Sequence, residues 1–261
     1  MSEKHKILVL SDLNSATEAI VTNATNLARI INADVSLFCV KKATEVVSKE
    51  SQLSAMRSIN QAFIATDNSL KTIINNVAID DDDVHIKHKV AFGNLKENIS
   101  KQIAAVKPSV IVLGKSKSKT LSFLGDKLTD FILKEFNGTI MISSDDKTLE
   151  ANDNLDIGYI DTIDLKNNRI KEQLFAFSKK PIKLLQTSSA SDSLNNQTSN
   201  IEKVVLSQKG NTIASVNSYV SNSPLQLLFL NRNKNKTLEI NSKVSSIAKN
   251  LNCSLLITNK V

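Results

Sequence analysis

Residues 114–126 read Gly-Lys-Ser-Lys-Ser-Lys-Thr-Leu-Ser-Phe-Leu-Gly-Asp, so Lys115, Lys117 and Lys119 alternate along one polar stretch bounded by Gly114 and Gly125. Cations in this arrangement can attract an anion. The stretch is not a phosphate loop of the Gly-x4-Gly-Lys-Ser/Thr type, because the spacing is wrong. Asp126 at its end carries a charge that repels phosphate. The competing reading is a solvated basic loop, the usual fate of a charge run. A second polar group, Asp12, closes the first apolar run of the chain, Lys6-Ile-Leu-Val-Leu10.

No other constellation assembles into chemistry. His85 and His88 lie three apart on an expected strand and so face opposite ways, which prevents a shared metal; they read as solvated. Asp80 to Asp83 lacks the glycine and distal Glu of a calcium loop and also reads as solvated. His5 has no visible partner. Cys39 and Cys253 sit in or beside apolar runs and read as buried thiols of a reduced compartment. A Gly-x-Ser-x-Gly elbow is absent, and no Ser/His/Asp or Cys/His set can be built from sequence neighbours. The reading is therefore of a chain with no metal site and no assigned catalytic reaction.

The surrounding pattern says what would hold residues 12 and 114–126 in place. Apolar runs at 6–10, 35–40, 85–90, 110–113 and 139–142 read as strands. Between them lie helical stripes at 20–31, 45–76, 95–106 and 124–136. Asn14 or Ser15 is expected to cap the first helix, Gly93-Asn94 to open the third, and Asn137-Gly138 to close the fourth as a left-handed cap. Strand–helix alternation predicts a parallel, doubly wound sheet with ligands at the carboxyl ends of its strands.

The second half repeats this order, with strands expected at 156–160, 182–185, 203–206, 225–230 and 254–257. Gly93-Asn94 then Pro108 is echoed by Gly210-Asn211 then Pro224, and Lys119-Thr-Leu121 by Lys236-Thr-Leu238. The Ser/Asn/Thr-rich stretch 187–200 stands where the first half has its long helix. The expected domains are 1–147 and 154–261, related by a pseudo-twofold. Pairing Leu255 to Ile257 against Ile140 to Ile142 would cover two sheet edges. Whether that pairing is within one chain or across a dimer is open.

Composition narrows the partners. The net charge is +7, but residues 1–147 hold 19 Lys/Arg and 17 Asp/Glu, and the remainder 14 and 9. The excess is thin, and with no Trp and two Tyr there is no platform for stacking bases, which argues against sequence-specific nucleic-acid binding. Apolar runs are strand-length, too short to span a membrane. Residues 1–6 are polar and do not read as a secretory signal, so a cytoplasmic setting is expected.

The sequence resembles the universal stress protein family. Four features carry the resemblance: Asp12 at the end of the first strand, the Gly93-Asn94 turn, the strand–Gly–polar loop at 110–114, and Leu124-Gly125 opening a helix. It spans residues 5–143 and, through order and spacing alone, 155–259. It implies an α/β fold of two tandem five-stranded, doubly wound parallel sheets, Rossmann-like and similar to the adenine nucleotide alpha hydrolases. It further implies an adenine-nucleotide cleft for ATP or AMP, dimers through the last strand, and stress-linked roles without a settled reaction. On this resemblance Asp12 would meet the ribose or base edge, and Gly114, Lys115, Lys117, Lys119, Gly125 and Asp126 would frame the phosphates. The family's loop reads Gly-x2-Gly-x9-Gly-Ser/Thr. Here Lys117 replaces the second glycine, Asp126 replaces the hydroxyl, and the loop is two residues shorter. A variant pocket and a vestigial one both stand, and with the vestigial one a non-nucleotide-binding scaffold acting through its surfaces. In the second half the loop 231–236 has no glycine.

Overall fold

The runs Ile7–Leu10 and Val110–Leu113 are buried at every residue, as strands covered on both faces must be. The protein is described by a computed structural model covering residues 4–42, 52–78, 84–115, 126–160, 169–187, 200–206, 212–231, 247–248 and 250–258. The first half runs β1 His5–Ser11, α1 Thr17–Ile31, β2 Ala33–Lys41, α2 Gln52–Ala78, β3 Ile86–Phe92, α3 Leu95–Val106, β4 Val110–Gly114, α4 Asp126–Glu135 and β5 Thr139–Ser143. The second runs β6 Ile157–Ile160, α5 Arg169–Phe177, β7 Ile182–Thr187, β8 Ile201–Leu206, α6 Thr212–Ser221, β9 Leu227–Leu230 and β10 Ser254–Ile257. Among the described residues no helix is long and apolar enough to cross a membrane.

The two expected five-stranded sheets are continuous with each other. Ten strands form one sheet in the order β3-β2-β1-β4-β5-β10-β9-β6-β7-β8. Read from its outer edge, the second half reproduces the strand order of the first. Neighbours within each half are parallel. The one antiparallel join is β5 with β10, where Leu255, Leu256 and Ile257 stand opposite Ile142, Met141 and Ile140. This is the edge-covering pairing that the apolar final strands predict, and it forms within a single chain. Because the join is antiparallel, the carboxyl ends of the two sets of strands lie on opposite edges of the sheet.

Alternate residues of each strand feed two apolar layers, one per face. Ile7, Val9, Met141, Leu256, Tyr159 and Phe229 belong to one, and Leu8, Leu10, Ile140, Leu255, Leu228 and Ile257 to the other. Each layer runs through both halves. In the second half it is thickened by aromatic packing: Tyr159 stacks on Phe229 at 5.9 Å between centroids, and Phe175 meets both rings edge-on.

Several local expectations change. The residue capping α1 is Ala16, with no side-chain cap; Asn14 instead accepts from the Ala16 amide at 2.8 Å in a turn just ahead. Asn94 caps α3 as expected, accepting from Glu97 N, and Gly93 before it is left-handed at φ +120°. Gly138 is not left-handed. A Cβ there would lie 2.9 Å from the Ser109 carbonyl and 2.3 Å from the Phe136 ring, so lack of space demands the glycine, not backbone twist. The left-handed helix ends are Asn32 and Lys107. Residues 45–51 of the long helical stretch, the run Asp80 to Asp83 and the loop 188–199 lie outside the described residues.

Candidate functional site at the carboxyl ends of β1 and β4

The order β2-β1-β4 makes the gap between β1 and β4 the point where the chain's connections reverse direction, the place where open α/β sheets hold ligands. The last registered pair across it is Leu10 and Leu113. Ser11 and Asp12 follow on one side, Gly114 and Lys115 on the other. Asp12 is half-buried, and its carboxylate makes no hydrogen bond or ion pair among the described residues; its carbonyl receives Lys41 Nζ at 3.4 Å.

Beyond Asp12 the backbone turns sharply. Leu13 holds φ 58°, a conformation costly for a branched side chain, and its amide donates to Ser11 Oγ at 3.1 Å. Ser11 Oγ also pairs with Thr17 Oγ1 at 2.9 Å, tying the end of β1 to the first turn of α1. This brace aims the amino end of α1 at the same gap. Sequence reading missed it, although Ser11 and Thr17, six apart across a turn, were a visible signal.

Gly114 is required by packing. A Cβ there would lie 2.3 Å from Ile20 Cδ1 of α1, so the helix settles onto the strand through the missing side chain. Lys115, expected among the phosphate-facing lysines, is placed elsewhere. It is buried, and its ammonium donates to the Leu251 carbonyl and to Ser144 Oγ, at 3.3 Å in the second case. Lys117, Lys119 and Gly125 lie outside the described residues; Asp126 begins α4.

Lys115 belongs to a polar layer that the sequence did not reveal. Fully buried Asn23 of α1 donates to Ser143 Oγ at 2.8 Å and to the Ser144 carbonyl at 2.7 Å, and accepts from Leu149 N at 2.6 Å. Ser144 N donates to Ser254 Oγ, Ser144 Oγ to the Asn252 carbonyl, and Lys147 Nζ to the Ser223 carbonyl at 2.6 Å. These bonds join the end of β5 to the amino ends of β9 and β10.

The remaining candidates are structural. His88 is not simply solvated: its Nε2 lies 2.7 Å from Asp67 Oδ1, tying β3 to α2. Cys39 and Cys253 are free and buried, and burial pushes both thiols up to about 11. Among the described residues no three His, Cys, Asp or Glu side chains are grouped to hold a metal.

Neither a family model nor a curated protein matches the chain. Solved structures share its fold over nearly its whole length. A universal stress protein from Archaeoglobus fulgidus DSM 4304 is 10% identical with a TM-score of 0.67, covering 97% of this chain and 98% of its own. A putative universal stress protein from Pseudomonas aeruginosa UCBPP-PA14 is 10% identical with a TM-score of 0.54, covering 98% and 93%. The cytoplasmic domain of a prokaryotic cation chloride cotransporter is 14% identical with a TM-score of 0.56, covering 99% and 96%. The fold of this chain is the α/β universal stress protein fold.

Proposed function

We propose that this chain is a cytoplasmic stress-response protein of the universal stress protein type, built from tandem units 1–147 and 154–261. In this reading the first unit binds ATP or AMP at the β1/β4 gap and no reaction is assigned. The observation that carries it is the Asp12 carboxylate, unpaired among the described residues, at the switch point and beside the braced, left-handed turn at Leu13. Asp12 would take a ribose hydroxyl or the base edge. Backbone at Gly114, with Lys117 and Lys119, would meet the phosphates. The test is the melting temperature of the purified chain with and without ATP or AMP: a rise that the Asp12→Ala variant loses supports the reading, and an unchanged melting temperature speaks against it.

A second reading is favoured by Lys115. Its ammonium is engaged in the polar layer between the halves, which leaves fewer cations for a phosphate. On this reading the pocket is vestigial and the protein is a scaffold that acts through its surfaces. Nucleotide would then leave the melting temperature unchanged while assembly depends on protein concentration.

A further inference from the structure

Five large apolar side chains are prominently exposed among the described residues, and four of them lie on α2: Leu53 at 73%, Met56 at 70%, Ile64 at 51% and Phe63 at 41%. At 100° per residue the four fall within about a quarter of the helix circumference. The arc lies beside the core-facing one. Farther along α2, Leu70 is buried, and Ile73, Ile74 and Val77 pack on the core. The apolar stripe expected along the whole helix is thus used by the sheet only over its later turns. Between Gln52 and Thr66 the helix carries a single charge, Arg57. A solvated face would hold many more.

The patch overhangs edge strand β3. Phe63 meets Phe92 at 6.4 Å between ring centroids, and Asp67, one turn farther on, holds His88. That edge is itself guarded: Lys87 and Lys89 are exposed on it, a composition that discourages a visiting strand. The last strands β5 and β10 pair inside the chain, so they offer nothing to a second molecule either. An occupant must come to the helix.

We infer that a second copy of this chain packs against α2, helix to helix and antiparallel, about a twofold axis near Ile59 and Asn60. The stripe is self-complementary in that arrangement: Leu53 and Met56 of one copy reach Phe63 and Ile64 of the other, and the sparse charge puts little repulsion across the axis. The four side chains expose on the order of 450 Å², at the upper end of what a lone chain leaves uncovered. Two such patches with their surroundings would bury about 1,000 Å² in all, enough for a weak specific pair but not for a permanent one. The dimer therefore forms at micromolar concentration.

Sedimentation velocity on the full chain from about 1 to about 200 µM tests this, and the expected result is a reversible monomer–dimer equilibrium in the micromolar range. Met56→Glu, at an exposed position and so compatible with folding, weakens association at least about tenfold. Val205→Glu, which removes the exposed side chain on β8, leaves it unchanged. Asn60→Cys gives a disulfide-linked dimer under mild oxidation, because the residue lies at the axis while both native thiols are buried. A monomer throughout, a dimer indifferent to Met56→Glu, or no cross-link through position 60 each overturns the inference.

Discussion

The ammonium of Lys115, one residue past the end of β4, donates to the carbonyl of Leu251, 136 positions later at the start of the turn into β10. Leu251 O is thereby satisfied by a side chain from the other half. The residue that the sequence offers as a phosphate ligand is part of what fastens the halves together.

Lys115→Met should therefore act on stability before it acts on any ligand. It leaves a buried carbonyl without its donor, a loss of about 1–3 kcal/mol in chemical denaturation. Nucleotide affinity in the same variant should change far less than in Asp12→Ala. A stable Lys115→Met protein that has lost only nucleotide binding would return Lys115 to the phosphates.

The two halves should unfold together. Both apolar layers run through β5 and β10, and Met141 and Leu256, paired across the join, are fully buried in one of them. Cys39 lies in the first half and Cys253 beside the join, so thiol labelling of single-cysteine variants Cys39→Ala and Cys253→Ala reports on each. One shared denaturant midpoint is expected. Leu256→Ala should lower it for both thiols together, through a loss of about 2–5 kcal/mol in unfolding free energy.

How much of this was legible in the sequence follows from the range of the interactions involved. Strands of a parallel sheet are contiguous apolar runs, so β1, β4, β5 and β10 could be read almost to the residue, and the apolar final strands even gave their pairing. Asn23, Ser144 and Lys115 could not be read, because each has a decisive partner more than 100 positions away (Ser143, Ser144 and Leu149 for Asn23, Asn252 and Ser254 for Ser144, Leu251 for Lys115) and none of the three residue types is unusual on a surface. Gly138 misled for another reason: Asn-Gly after a helix is a left-handed signal, yet here the constraint is the Ser109 carbonyl above it. The exposed stripe of α2 misled because periodicity shows an apolar face without showing what covers it.

The two glycines separate those constraints by experiment. Gly138→Ala forces its Cβ onto a backbone oxygen and an aromatic ring and should cost about 2–3 kcal/mol. Gly114→Ala meets only the Ile20 side chain, at 2.3 Å from Cδ1 and 3.2 Å from Cγ1, and should cost about 1 kcal/mol, partly recovered by adding Ile20→Val. Thermal denaturation of the three variants checks the order.

Asp156 gives a pH signature. Burial pushes its carboxyl up, but hydrogen bonds from Lys180 at 2.5 Å and Lys183 at 2.7 Å outweigh that and hold it below the ordinary carboxylate value. A folded value below the unfolded one, about 3.9, means stability present above that pH and lost as pH falls through the folded value. Asp156→Asn should cost about 2 kcal/mol at pH 7, with the gap from the parent closing below about pH 4.

Calorimetric titration with ATP and AMP tests directly the proposal that the gap between β1 and β4 takes an adenine nucleotide through Asp12. Micromolar binding, roughly 8 kcal/mol, is expected, abolished by Asp12→Ala and retained by Lys115→Met. No heat up to millimolar nucleotide, or equal affinity in the Asp12→Ala protein, would contradict it.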